Sequence, residues 1–293
     1  MIGPRPQGDD TMDDPAHTLR ITILAENTAR GVGILGEHGF SAWIETPEHR
    51  VLFDTGQGMA LQNNAGRLGI DISTADAIVL SHGHFDHVGG LEWALAQAPD
   101  AALHMHPRAT EAKFSASRPG KPHRVSIPWF ENGGFEGGGR RIVKSATAHE
   151  VVPGVWATGE VPRVNDFEDV GGPFFLDEEA KIPDPLLDDQ SLFIPTPDGL
   201  VVIFGCAHAG VVNILGHIEG RTGGSGPVRL LMGGLHLLQA SERRMGETIA
   251  ALRSRQPGQM VFCHCTGAEA VCRLHREFPG AGRFGHAGMT VEL

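Results

Sequence analysis

Between Ser81 and Gly90 the chain reads Ser-His-Gly-His-Phe-Asp-His-Val-Gly-Gly, which puts four metal-binding side chains, His82, His84, Asp86 and His87, within six residues. Neutral imidazoles suit zinc, and a carboxylate adds a harder ligand that zinc, manganese or iron accepts. One loop can aim His82 and His84 at one cation while Asp86 and His87 face a second. Glycines at 83, 89 and 90 let the backbone bend closely around such a pair. The competing reading is a solvated histidine-rich turn. The flanks argue against it: the apolar run Ala77-Ile-Val-Leu reads as a strand before the loop, and Leu91, Ala94 and Leu95 share a helical face after it.

Three further histidines follow predicted strands. His208 lies in Gly-Cys-Ala-His-Ala-Gly (205–210) after Leu200–Phe204, and His236 in Gly-Gly-Leu-His-Leu (233–237) after Val228–Met232. His264 lies in Phe-Cys-His-Cys-Thr-Gly (262–267), after a strand beginning at Gln259. Strand ends on one sheet edge converge in space, so these three can meet the first cluster. The other histidines read as ordinary polar residues. His38, His49, His123, His217, His275 and His286 sit in turns or on polar helix faces, and His17 lies near the start. His104 and His106 share one strand face, expected to be solvated, and His149 falls in a segment without a clear element. Cys206, Cys263, Cys265 and Cys272 are too few for a disulfide scaffold at this length; they read as reduced, buried thiols, with a four-cysteine zinc site as the alternative.

The elements that would position these residues recur as strands followed by helices. Strands are predicted at 19–24, 39–46, 50–54, 77–80, 102–106, 141–148, 154–158, 191–196, 200–205, 228–232, 259–263 and 289–293. Helical faces run through Val211, Ile214, Leu215 and Ile218, through Met245, Ile249 and Leu252, and through Val271, Leu274 and Phe278. Thr266-Gly-Ala-Glu269 has the spacing of a capping box for the last of these. Two sheets packed together with helices outside, an αββα sandwich of the α/β (α+β) class, are expected over one domain at 19–293, after a disordered tail at 1–18. Residues 107–140 carry four prolines, a glycine run and Phe114, Trp129, Phe130 and Phe135. They read either as an aromatic lid or as a solvated loop with its aromatics pinned to the core.

Composition narrows the class. The 293 residues carry 35 acidic against 24 basic side chains, a formal net charge of −11 that argues against a general nucleic-acid binder. Apolar runs are too short to cross a membrane. The acidic, Gly/Pro-containing opening lacks the basic and apolar regions of a secretory signal. A cytoplasmic protein without nucleic-acid or membrane partners is expected.

With its His-x-His-x-Asp-His loop after a strand, and Leu-Phe-Asp-Thr-Gly (52–56) one strand earlier, the chain resembles the metallo-β-lactamase-fold superfamily. Gly-Glu-x-Pro-Arg (159–163), Asp-Asp-Gln (188–190), Gly-Cys-x-His-Ala-Gly, Gly-Gly-x-His-Leu and His-Cys-Thr-Gly resemble one branch of it. That branch is named after 7,8-dihydropterin-6-methyl-4-(β-D-ribofuranosyl)-aminobenzene-5′-phosphate synthase. The resemblance implies two divalent cations, zinc or else manganese or iron, held by His82, His84, Asp86, His87, His208 and His264. It gives Asp54 a supporting role behind the metal loop. Cys206 stands where many relatives carry an aspartate, and is either a ligand or a buried thiol beside the site. Asp86 and His236 are the candidate catalytic residues, with His236 a proton donor, a substrate contact or a ligand. Arg163 is a candidate phosphate clamp, with a salt bridge as its alternative, and Asp188 and Asp189 are solvated unless they turn inward. The implied substrate is a small anionic or phosphorylated molecule. The implied reaction joins two substrates and expels diphosphate; the alternatives are metal-dependent hydrolysis of a phosphoester, lactone or thioester, and a non-catalytic metal-bound sensing module.

Overall fold

The computed structural model describes residues 19–131, 139, 141–224 and 226–293. The expected tail and the glycine-rich stretch with Phe135 lie outside them. The first half runs β1 (Arg20–Ala25), β2 (Ser41–Glu45), β3 (Arg50–Phe53), α1 (Met59–Leu68), β4 (Ala77–Val79), α2 (Phe85–Val88), α3 (Leu91–Gln97) and β5 (Ala102–Met105). Short strands follow: β6 (Phe114–Ser115), β7 (His123–Arg124), β8 (Ile142–Lys144), β9 (His149–Val152), β10 (Val155–Ala157) and β11 (Phe174–Phe175). The second half runs β12 (Leu192–Thr196), β13 (Gly199–Phe204), α4 (Val211–Thr222), β14 (Val228–Gly234), α5 (Glu242–Arg255), β15 (Gln259–Cys263), α6 (Ala268–Glu277), β16 (Gly282–Phe284) and β17 (Thr290–Glu292).

The strands form two seven-stranded sheets, ordered β17-β1-β2-β3-β4-β5-β8 and β16-β15-β14-β13-β12-β10-β9, and a small sheet β11-β6-β7. Side-chain alternation assigns each sheet two apolar faces. Val201 and Ile203 point between the sheets, where they meet Ile21, Ile23, Val51 and Phe53. Val202 and Phe204 point the other way and pack with Val211, Ile214 and Leu252 of α4 and α5. On the first sheet Leu52 and Ile78 likewise face Leu61 and Leu91 of α1 and α3. Three apolar layers between four layers of structure make the αββα sandwich. Strands β3, β4, β5 and β8 run parallel, as do β13 through β16. Parallel strands covered on both faces read as unbroken apolar runs, which is why Leu200–Phe204 is apolar throughout. Among the described residues no helix is long and apolar enough to cross a membrane.

Two local expectations are corrected. Thr266 does not cap α6; its hydroxyl accepts the Leu235 N–H at 3.0 Å, and the N-cap of the helix is Gly267, which offers no side-chain cap. His104 and His106 are buried, not solvated. For His104 the reason is β9: its His149 stacks on His104 with ring centroids 5.3 Å apart, and His104 Nδ1 lies 3.1 Å from His149 Nε2.

Burial, helped by His149 and Arg141, pushes the His104 pKa down from 6.5 to about 4. The folded protein therefore keeps this ring neutral where the unfolded chain would protonate it. Its contribution to stability is full above the unfolded value and is lost as pH falls from about 6.5 toward 4. Replacing His104 with Gln should shrink the drop in melting temperature between pH 7 and pH 5; an unchanged drop in thermal melts would show that His104 is not held neutral.

Candidate metal centre

The carboxyl ends of β3, β4, β13, β14 and β15 open on one edge of the sandwich, and each is followed by a residue of the predicted cluster. Asp54 follows β3. Its Oδ1 accepts the Ser81 N–H at 2.7 Å and its Oδ2 accepts from His87 Nδ1 at 2.7 Å, so one buried carboxylate fixes both ends of the metal loop. His82 Nδ1 lies 2.9 Å from Ser81 Oγ. His208 Nδ1 donates to the Val170 carbonyl at 2.7 Å. His264 Nδ1 donates to Asn27 Oδ1 at 2.8 Å, and its backbone N–H to Glu26 Oε1 at 2.7 Å. Each of these rings spends one nitrogen on a protein partner, which sets its tilt and turns the other nitrogen inward.

The inward nitrogens crowd together. His82 Nε2 is 2.9 Å from His84 Nδ1, and His87 Nε2 is 3.3 Å from His264 Nε2 and 3.1 Å from Cys206 Sγ. Asp86 Oδ2 lies 3.3 Å from His264 Nε2 and 3.2 Å from His38 Nε2. His84 Nε2 and His208 Nε2 are buried without a hydrogen-bond partner. His82, His84 and His208 each offer an atom within 4.8 Å of the others, as do His82, His87 and Cys206.

The donor chemistry fits divalent cations. Burial drives the His82 and His208 pKa values well below the ordinary range and takes His84 down to about 3, so these rings are neutral and carry free lone pairs. Burial alone would raise the Asp86 pKa, but His87, His264 and His38 hold it well below the usual carboxylate range. Neutral imidazoles and an ionised carboxylate are the forms a cation binds. Burial opposes charge on His87 too, yet Asp54 and Asp86 raise its pKa to about 9, so the two carboxylates already favour positive charge between them.

Backbone strain is concentrated here. Seven described non-glycine residues have left-handed backbone, and four of them, Asp54, Ala207, His236 and His264, follow the converging strands. Such conformations cost on the order of 1–3 kcal/mol each and persist where the surroundings over-determine them. Gly205 is needed for contact, because a Cβ there would meet Ser81 Cβ and Oγ at 2.3 Å. The centre opens into a cavity of about 600 Å³ whose lining includes Ser115, Arg118 and His123 from the small sheet and its turn. Phe174 of β11 forms one wall, its ring 4.9 Å from His84 and 5.3 Å from His208.

Other predicted positions fall differently. His236 lies beside His208, ring centroids 4.2 Å apart, with Nε2 donating to the Gly171 carbonyl at 3.1 Å. Arg163 is not a phosphate clamp in this arrangement. Its guanidinium donates to the His208 carbonyl at 2.6 Å and to the carbonyls of Pro185 and Leu186, so it braces backbone. Asp188 and Asp189 turn inward. Asp189 Oδ2 accepts the Ala209 N–H at 2.9 Å, and burial pushes its pKa up to about 6. Two residues escaped the sequence reading. His38 is no ordinary turn residue, since it faces Asp86. Lys113, in the 107–140 insert, is fully buried and reaches Asp184 at 3.0 Å and Asp188 at 2.9 Å. No spacing pattern links residues so far apart in the chain.

Residues 35–239 match the family model of the metallo-beta-lactamase superfamily. The chain belongs to the metallo-beta-lactamase superfamily. A 7,8-dihydropterin-6-methyl-4-(beta-D-ribofuranosyl)-aminobenzene-5′-phosphate synthase from Methanocaldococcus jannaschii is 28% identical over 286 residues, 94% of this chain and 97% of that protein. Tm1679, described as a metal-dependent hydrolase of the beta-lactamase superfamily, has a crystal structure that matches with a TM-score of 0.76 at 28% identity. The match covers 94% of this chain and 99% of that one. The Zn(2+)-bound PqqB of Methylobacterium extorquens shares the fold, with a TM-score of 0.55 at 18% identity over 94% of this chain and 100% of that one.

Lys113 ties the insert to the metal loop of this superfamily fold, because Asp188 Oδ2 also accepts the Gly83 N–H at 2.9 Å. Replacing Lys113 with Met leaves two buried carboxylates without their cation. Breaking a buried pair in this way costs about 3–5 kcal/mol. Denaturant unfolding of Lys113→Met should show a loss of that order; a loss under about 1 kcal/mol, the scale of an exposed pair, would mean the triad is not a structural tie.

Proposed function

We propose that the chain is a two-cation metalloenzyme acting on a small anionic, phosphorylated substrate. The observation that carries this reading is the pair of donor sets at the base of one cavity, which His84, His208, Asp86, Cys206 and His264 line: His82, His84 and His208 on one side, Asp86 and His264 on the other, with Cys206 and His87 between. The first set would hold one cation and the second set the other. Bound there, the cations would polarise a phosphoryl or carbonyl oxygen and offset the charge of a departing anion.

The chain's own groups would do the rest. Phe174 presents a flat apolar wall beside the donors, suited to stacking a planar ring. Arg118 and His123 bring cationic and hydrogen-bonding character to the lining, in keeping with an anionic substrate inside a protein of net charge −11. Asp86 has its Oδ2 among the imidazoles and would orient an attacking group as well as bind a cation. His236 has Nε2 occupied by the Gly171 carbonyl, so a proton-transfer role would fall to its Nδ1, which is buried without a hydrogen-bond partner.

Similarity to the synthase over nearly the whole chain favours a transfer reaction that joins a pterin methyl diphosphate to an aminobenzene ribose phosphate and releases diphosphate. Similarity at the same identity to Tm1679 supports hydrolysis as the second reading. Incubating the metal-loaded protein with both synthase substrates, and separately with simple phosphoesters, lactones and thioesters, decides between them. The expected result is diphosphate release only when both substrates are present; turnover of a simple ester alone would favour hydrolysis. His84→Ala should abolish turnover and release a cation, and full activity in that variant would refute the centre.

A further inference from the structure

His38 sits in the turn before β2, with its side chain 59% exposed, yet it is bound to the metal centre. Its Nε2 lies 3.2 Å from Asp86 Oδ2, and its ring is tilted 53° to His264 with centroids 4.9 Å apart. His38, Asp86 and His264 each offer a ligand atom within 4.8 Å of the other two.

The turn is built to hold it there. Before His38, the Glu37 carboxylate accepts the N–H groups of Met59 at 3.1 Å and Ala60 at 3.0 Å, capping the start of α1. After it, the Gly39 N–H donates to Asn27 Oδ1, the oxygen that also receives His264 Nδ1. A Cβ on Gly39 would lie 2.4 Å from the Asp86 carbonyl, and its φ is +151°, so glycine is required for the turn to press against the metal loop. Phe40 N–H donates to that same carbonyl at 3.3 Å, and the Gln57 side chain donates to the His38 carbonyl. Every neighbour of His38 is committed to structure, and its imidazole is delivered to the Asp86 carboxylate at the wall of the cavity.

We infer that His38 is a protein ligand of the outer cation, joining Asp86, His264 and His87, whose Nε2 lies 3.3 Å from His264 Nε2; this rests on the two-cation reading above. Such a set accepts zinc, manganese or ferrous iron. The inner set, His82, His84 and His208, is fully buried, whereas His38 stands between the outer position and solvent. The outer cation should therefore exchange first, with His38 the ligand that swings away.

The test is a cobalt titration of the unmodified protein and of His38→Ala and His38→Gly, with a competing chelator and thermal melts to confirm folding. Two equivalents are expected for the unmodified protein. Losing one ligand should weaken the second equivalent and leave the first unchanged; loss of a mere hydrogen-bond partner of Asp86 would also weaken it, by about 10–100-fold, so the cobalt-shifted resonances separate the two. Free imidazole should restore the second affinity in His38→Gly. In the cobalt-loaded protein the contact-shifted imidazole resonances, which only rings bonded to cobalt carry, should number one histidine fewer in His38→Ala, a change that loss of a hydrogen bond to Asp86 would not produce. Two equivalents in both proteins, with equal second affinity and the same set of shifted resonances, would overturn the role of His38 alone. Fewer than two equivalents in the unmodified protein would overturn the two-cation reading and this inference with it.

Discussion

The structure depends on a crowd of imidazole nitrogens turned inward on one another, on the Cys206 thiol and on the Asp86 carboxylate. Five buried histidines, His82, His84, His87, His208 and His264, meet at one end of the sandwich, with ring nitrogens as close as 2.9 Å. Burial keeps His82, His84 and His208 from taking a second proton, so they meet as neutral imidazoles. A divalent cation would give such rings a common partner. The surrounding architecture reads as a device for holding the rings in a geometry they would not choose alone.

Three kinds of support do the holding. The parallel strands of both sheets end on the same edge, which brings residues 54, 81–87, 206–208, 236 and 264 together from across the chain. Protein acceptors then take the outer ring nitrogens: buried Asp54 for His87, the Val170 carbonyl for His208 and Asn27 for His264. Charged ties lock the loops behind them, with Lys113 joined to Asp184 and Asp188, and Arg163 bracing the His208 carbonyl. Left-handed backbone at Asp54, Ala207, His236 and His264 costs free energy that these contacts offset. The same logic explains the turn at His38, where Glu37 and Gly39 serve the fold and the histidine serves the site.

Much of this was legible in the sequence because it is local. The metal loop lies within six residues, and the strands that feed it are apolar runs of ordinary length. The strands at 200–205 and 259–263, the helices carrying Ile214 and Leu252 and the αββα layering all follow from periodicity. What was not legible is non-local or atypical. Helix α1 was missed because Asn63, Asn64 and Gly66 weaken its propensity, while Asn64 is buried to bond the carbonyls of Leu24 and Leu35. The solvated reading of His104 failed because β9 covers it, a contact between segments about 45 residues apart. Arg163, expected as a phosphate clamp or a salt-bridge partner, braces backbone instead, and Lys113 gave no signal, because a basic residue gives no local sign that its partners are backbone carbonyls or distant carboxylates.

The central claim is that the converging donors form two cation sites. Anomalous X-ray diffraction at the absorption edge of the bound metal, from crystals of protein purified with its native cations, tests this most directly. The account predicts two anomalous peaks, one among His82, His84 and His208 and one beside Asp86 and His264. A single peak, or peaks away from these residues after metal has been added back, would contradict it.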